Sequence, residues 1–122
     1  MPWIEKAAAQ NEPSAVGQLG VMYSEGKGVT PSWRRAREYF ERGIELGDSM
    51  SVKNMQGLTE CIQKVAPLMD KRVELHGTSG ADMNGKRGVA TDYHWYPADR
   101  TKERYTVKLD GGEAFKVKPA NL

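Results

Sequence analysis

The chain comes close to repeating itself after 36 residues, and that period limits what its first half can fold into. Sliding Trp3-Ile4-Glu5-Lys6 forward by 36 places it on Tyr39-Phe40-Glu41-Arg42, aromatic on aromatic, acid on acid and base on base. The same slide takes Val16 to Val52, Leu19 to Met55, and the turn Gln10-Asn11-Glu12 to Leu46-Gly47-Asp48. A fixed period of about 20–50 residues marks stacked units, none of which buries its apolar face alone. Residues 1–70 are therefore expected to form a helical solenoid segment.

Within that segment the apolar residues recur at helical spacing. Trp3, Ile4, Ala7 and Ala8 form one short face, and Pro2 suits a first turn. By the offset this piece corresponds to the back half of a later helix, so the chain reads as starting inside a repeat, as a fragment of a longer protein would. Asn11 or Glu12 precedes a second helix from Pro13 to Ser24, where negative charge is favourable. Gly17 and Gly20 each weaken a lone helix by about 1 kcal/mol; their expected use is to let a neighbouring helix approach closely. Thr30 as N-cap with Pro31 in the first turn opens a third helix to Leu46, with Glu38 placed to pair with Arg42. A fourth helix follows Asp48, with the stripe Val52, Met55, Leu58, Thr59, Ile62 and Val65, and stops at Pro67.

After Pro67 the period changes from helical to alternating. Arg72–Leu75, Gly88–Tyr93, Arg104–Leu109 and Ala114–Val117 read as strands. Asn84-Gly85 and Asp110-Gly111-Gly112 are turns. Tyr105, Val107 and Leu109 share one face, and Phe115 and Val117 are expected to point inward against them. Pro119 stops pairing, and Ala120-Asn121-Leu122 is expected to fold back over the open end. Four or five short strands suit a small curved barrel over residues 71–122. The fold class is α+β: an αα-hairpin repeat segment of about four helices, then a small antiparallel β-barrel. Met69-Asp70-Lys71 is too short for a free linker, so the two parts should touch.

The span Ala15 to Leu46 resembles the Sel-one-like repeat, an αα-hairpin relative of the tetratricopeptide repeats. The residues that carry the likeness are Leu19-Gly20-Val21-Met22-Tyr23, Gly26-Lys27-Gly28-Val29, Ala36, Tyr39-Phe40 and Gly47-Asp48. The next unit departs from the pattern: Gln56 stands where the repeat has a glycine, and no glycine-x-glycine-valine turn follows. Ser49–Ala66 is therefore expected to act as a capping helix. The span Arg72 to Leu122 is similar to a small barrel found beside MYND zinc fingers and helical repeats in algal and protist proteins. That likeness is carried by Val73-x-Leu75-x-Gly77, Met83-Asn84-Gly85-Lys86-Arg87-Gly88, Arg104-Tyr105-x-Val107-x-Leu109 and Val117-Lys118-Pro119-x-Asn121-Leu122. It implies a Src-homology-3-like barrel, without the finger, since one cysteine cannot build it.

Few chemistries are open to such a chain. Its 122 residues carry a formal charge of +2, too small to demand a nucleic-acid or membrane partner. The charge is uneven: residues 71–122 hold ten Lys+Arg against seven Asp+Glu, and residues 1–70 eight against nine. Cys61, the one cysteine, excludes an internal disulfide and is expected to be a packed thiol on the fourth helix. His76 and His94 lack partners at metal-ligand spacing. Gly26-Lys27-Gly28 lacks the rest of a phosphate-binding loop. No serine sits in a nucleophile elbow, and no run of about 18 apolar residues could span a membrane. The start does not follow a secretory pattern. No enzyme activity, cofactor or metal is expected, and the location is expected to be intracellular, soluble or peripheral.

The repeat resemblance implies a scaffold that binds a protein partner through a concave helical surface, an inference by fold analogy. The candidate contact residues are Gln18, Tyr23 and Asn54 on the helices and Tyr93, Trp95 and Arg104 on the strands. Two alternatives remain open at this point. One is a structural subunit of a larger, possibly algal photosynthetic or membrane, complex. The other is a nucleic-acid-binding module that uses Lys86, Arg87, Arg100, Lys102 and Arg104 near Tyr93, Trp95 and Tyr96.

Overall fold

The computed structural model describes residues 2–122, with side chains from Ile4 onward; the Trp3 side chain, which the offset pairs with Tyr39, and the Pro2 side chain lie outside the described residues. Four helices, α1 (Pro2–Ala9), α2 (Pro13–Glu25), α3 (Trp33–Glu45) and α4 (Ser49–Val65), precede four strands. The strands are β1 (Arg72–Glu74), β2 (Arg87–His94), β3 (Arg104–Leu109) and β4 (Ala114–Val117), with 3-10 turns at Arg100–Lys102 and Pro119–Asn121. The α+β class therefore holds.

The 36-residue offset governs the helical half in space. α1 ends at Ala9 and α3 at Glu45; α2 begins at Pro13 and α4 at Ser49. Asn11 and Gly47, also equivalent, are both left-handed, at φ 61° and 88°, a conformation that glycine and asparagine reach most easily. Glu12 caps α2 by accepting from the backbone N–H groups of Ser14 and Ala15 at 3.2 and 2.7 Å. The glycines of α2 do allow close approach. A Cβ on Gly20 would lie 2.4 Å from the Phe40 ring, and one on Gly17 2.5 Å from Asp48 Oδ2. Arg42 does not take Glu38 as its partner. It ties α3 back to α1 by donating to the Ala8 carbonyl at 2.7 Å and to Asn11, while Glu38 faces Arg34 at 3.9 Å.

The start of α3 differs from the sequence expectation. Ser32, not Thr30, is the N-cap, and its hydroxyl accepts from the Arg35 N–H at 3.2 Å. The reason lies in β2: Ser32 Oγ donates to Asp92 Oδ2 at 2.6 Å, and the Arg34 N–H donates to Asp92 Oδ1 at 2.9 Å. A carboxylate at a helix start is favourable because the first N–H groups have no partner inside the helix. One residue before Ser32, Pro31 offers its carbonyl to His94 Nδ1–H at 2.6 Å, and in the neutral ring this leaves Nε2 to accept from Thr106 Oγ1, also at 2.6 Å.

The strands form one antiparallel sheet in the order β1-β2-β3-β4. It is not closed into a barrel, which corrects the expectation. β1 and β4 are the outer strands, only 3 and 4 residues long, and they do not pair with each other. Among the described residues the two ends are hydrogen-bonded where the last turn folds back: the His76 N–H donates to the Asn121 carbonyl at 2.9 Å, and Asn121 Nδ2 to the His76 carbonyl at 3.0 Å. Phe115 lies opposite Val107 in register but is 39% exposed, whereas Val117, two residues on along the same edge strand, is buried at 8%. A register shift between Ala90 and Asp92 breaks the alternation in β2. As a result Asp92, Tyr93 and His94 are all buried.

Helices and sheet share a single main core. Trp33, Phe40 and Leu58 pack in the same cluster as Met69, Tyr93, Tyr105 and Val107. The Trp33 ring lies 4.9 Å from Tyr93 and 6.0 Å from Trp95, and Tyr93 meets Tyr105 edge-on at 5.0 Å. A smaller cluster of Ala8, Ala15, Val16 and Leu19 is covered by Tyr39 and Leu46 of the α3 segment. Three stripe assignments fail. Val52 is 42% exposed, Thr59 is exposed and Cys61 is exposed rather than packed, because periodicity places a residue on a face without saying what covers that face.

The two core tyrosines set an alkaline limit. Burial raises the Tyr93 phenol well above its ordinary 10.0, helped by its hydrogen bond to the buried Glu103 at 2.7 Å. Burial also raises Tyr105, against a hydrogen bond with the Leu68 backbone that lowers it. Above pH 10 the unfolded chain releases these protons while the folded chain retains them, so unfolding is increasingly favoured. Their stabilisation is complete below about pH 10 and is lost as pH rises toward the folded values. In a spectroscopic tyrosinate titration, two of the five tyrosines should ionise only as the fold is lost. Ordinary titration of all five with the fold intact would contradict this.

Candidate partner-binding groove

Equivalent positions of α2 and α4 face each other across a groove. The offset carries Gln18 to Asn54 and Val21 to Gly57, and all four residues line the depression between the two helices. The larger part, about 370 Å³, has Trp33 and Phe40 in its lining and reaches Leu58, Val65 and Trp95. It runs into a smaller part of about 320 Å³ bordered by Ser14, Gln18, Met50 and Asn54, with Val21 and Asn54 common to both. Gly57 leaves the larger part open along α4: a Cβ there would meet nothing within 4 Å.

The groove combines aromatic and aliphatic side chains with the carboxamides of Gln18 and Asn54, which both donate and accept hydrogen bonds, and with Lys53 and Cys61 of α4. Neither the Gln18 nor the Asn54 side chain is engaged in a hydrogen bond among the described residues. Glu25, at one end, is paired with Lys27 at 2.9 Å. No cluster of His, Cys, Asp and Glu suited to a metal ion occurs among the described residues. No helix among them is long and apolar enough to cross a membrane.

No protein-family model, curated protein or solved structure matches the chain.

Of the six residues singled out from sequence, the groove gathers Gln18, Asn54 and Trp95. Tyr23 lies elsewhere, stacked on Tyr39 at 5.5 Å with the Arg35 guanidinium 5.7 Å from its ring centre. Tyr93 is only 2% exposed, so it belongs to the core and offers nothing to a partner. Arg104 lines a separate cavity of about 580 Å³ with Leu75, Met83 and Phe115, and its guanidinium donates to the Thr101 and Glu103 carbonyls. The proposed basic face is interrupted by acids: Arg87 pairs with Glu74 and Arg100 with Glu103. Val21 and Gly57 were missed, although the slide that pairs Gln18 with Asn54 pairs them too.

Proposed function

We propose that the chain is a non-enzymatic interaction module, a short Sel-one-like scaffold that holds a segment of a partner protein in the α2–α4 groove. One observation carries the reading: repeat-equivalent residues of two helices, Gln18 with Asn54 and Val21 with Gly57, converge on an apolar cleft floored by Trp33 and Phe40. An apolar pocket with a few placed polar groups is the usual form of a binding site. The pairing of Arg87 with Glu74 and of Arg100 with Glu103 weighs against the nucleic-acid alternative, since a guanidinium bonded to a carboxylate has less to offer a phosphate.

The test fills the groove without disturbing the core. Gly57→Trp places a large ring in open space and replaces a residue that weakens helices, so the melting temperature should stay within a few degrees. In a pull-down from nuclease-treated cell extract, the original chain should retain a stoichiometric protein partner and the Gly57→Trp chain should lose it. Partners that vanish with nuclease, or that bind the variant undiminished, would overturn the reading.

A further inference from the structure

The repeat offset identifies a second surface, independent of the groove. Ala8 and Val16, 2% and 0% exposed, form the small core at the α1–α2 corner. Their equivalents at the α3–α4 corner are Ile44 and Val52, which are 39% and 42% exposed. The neighbouring pair behaves differently, because Ala15 and its equivalent Ser51 are both buried. The exposure is therefore confined to the side on which α3 covers the first corner, with Tyr39 and Leu46 packed on the Ala8–Val16 cluster. At the second corner no such helix follows among the described residues; the chain leaves α4 for β1. Val52 sits two residues from both Met50 and Asn54, a rotation of about 200°, so it faces away from the groove.

We infer that the Ile44–Val52 corner is a docking surface for a helix of a partner protein that presents an aromatic residue and, seven positions later, a leucine or similar aliphatic. The molecule itself displays that solution. Tyr39 and Leu46 are seven apart, two turns on one face, and they cover the equivalent corner. Replacing Ala8 by Ile44 makes the second corner larger and more apolar, so the incoming helix must offer apolar rather than charged residues there. A second copy cannot supply this pair, because its Tyr39 and Leu46 are already engaged with its own first corner.

The probe is a synthetic peptide of the α3 sequence, residues 32–47, held helical by a lactam between Glu38 and a lysine introduced as Arg34→Lys, both exposed positions. Fluorescence anisotropy with the full chain should show saturable binding. Val52→Lys in the chain, at a position already exposed, should weaken it by about tenfold or more, as should Tyr39→Ala in the peptide. Circular dichroism checks that the Val52→Lys chain stays folded. No saturable binding up to about 1 mM, or binding indifferent to both substitutions, overturns the inference. So does sedimentation showing that the chain dimerises and that Val52→Lys makes it monomeric, for the corner would then be taken by another copy.

Discussion

Asp92→Ala is expected to lower folding stability by about 3 kcal/mol, with little change in surface. The carboxylate is 4% exposed and receives three hydrogen bonds, from Ser32 Oγ and the N–H groups of Arg34 and Tyr93. Removing it leaves those donors buried without partners and strips the start of α3 of its negative charge. Asp92→Asn is the informative control. It keeps an acceptor for the backbone and should cost about 1 kcal/mol, because a neutral amide replaces charge-assisted bonds. Equilibrium denaturation of the three proteins measures this, and equal stability of the alanine variant and the original chain would refute the anchoring role.

Trp33→Ala should cost about 4 kcal/mol, the range for a buried aromatic cut back to a methyl group. Trp33 is 2% exposed and touches both Tyr93 and Trp95, and its indole N–H donates to the Ser24 carbonyl at 3.0 Å. Because the ring joins helices to sheet, the original chain should unfold in one transition, seen alike by far-ultraviolet dichroism and by tyrosine absorbance. In the variant the midpoints of both signals should fall together. A sheet signal that survives after the helices melt would show that the shared core does not couple them.

These two residues also show where sequence reading succeeds and where it stops. Alternation in Arg104–Leu109 and Ala114–Val117 marks β3 and β4 to the residue, since a strand's period is set by its own backbone. The offset aligns α2 with α4 for the same local reason. The N-cap was misplaced because Ser32 is selected by Asp92, 60 residues away; Thr30-Pro31 looked better only to a reader confined to neighbours. Val52 and Cys61 were assigned correctly to a helix and wrongly to a covered face. Strand number suggests a closed sheet, whereas β1 and β4, of 3 and 4 residues, remain the two edges and do not pair with each other. For the groove, Gln18, Asn54 and Trp95 were legible as polar or aromatic residues at suggestive positions. Tyr93 carried the same signal and turned out to be core, because alternation cannot say which side of a sheet the helices will cover.

The Ser32–Asp92 and Pro31–His94 bonds also bear on how such a chain could be recombined. A cut near Met69–Lys71 looks natural on paper, yet it would separate the start of α3 from the carboxylate that braces its cap and an imidazole from its carbonyl. A chimera joining these helices to a foreign sheet would inherit buried donors with no acceptor. Exchange is expected to succeed only if the Ser32 and Asp92 positions travel together, so the two halves form one unit of inheritance.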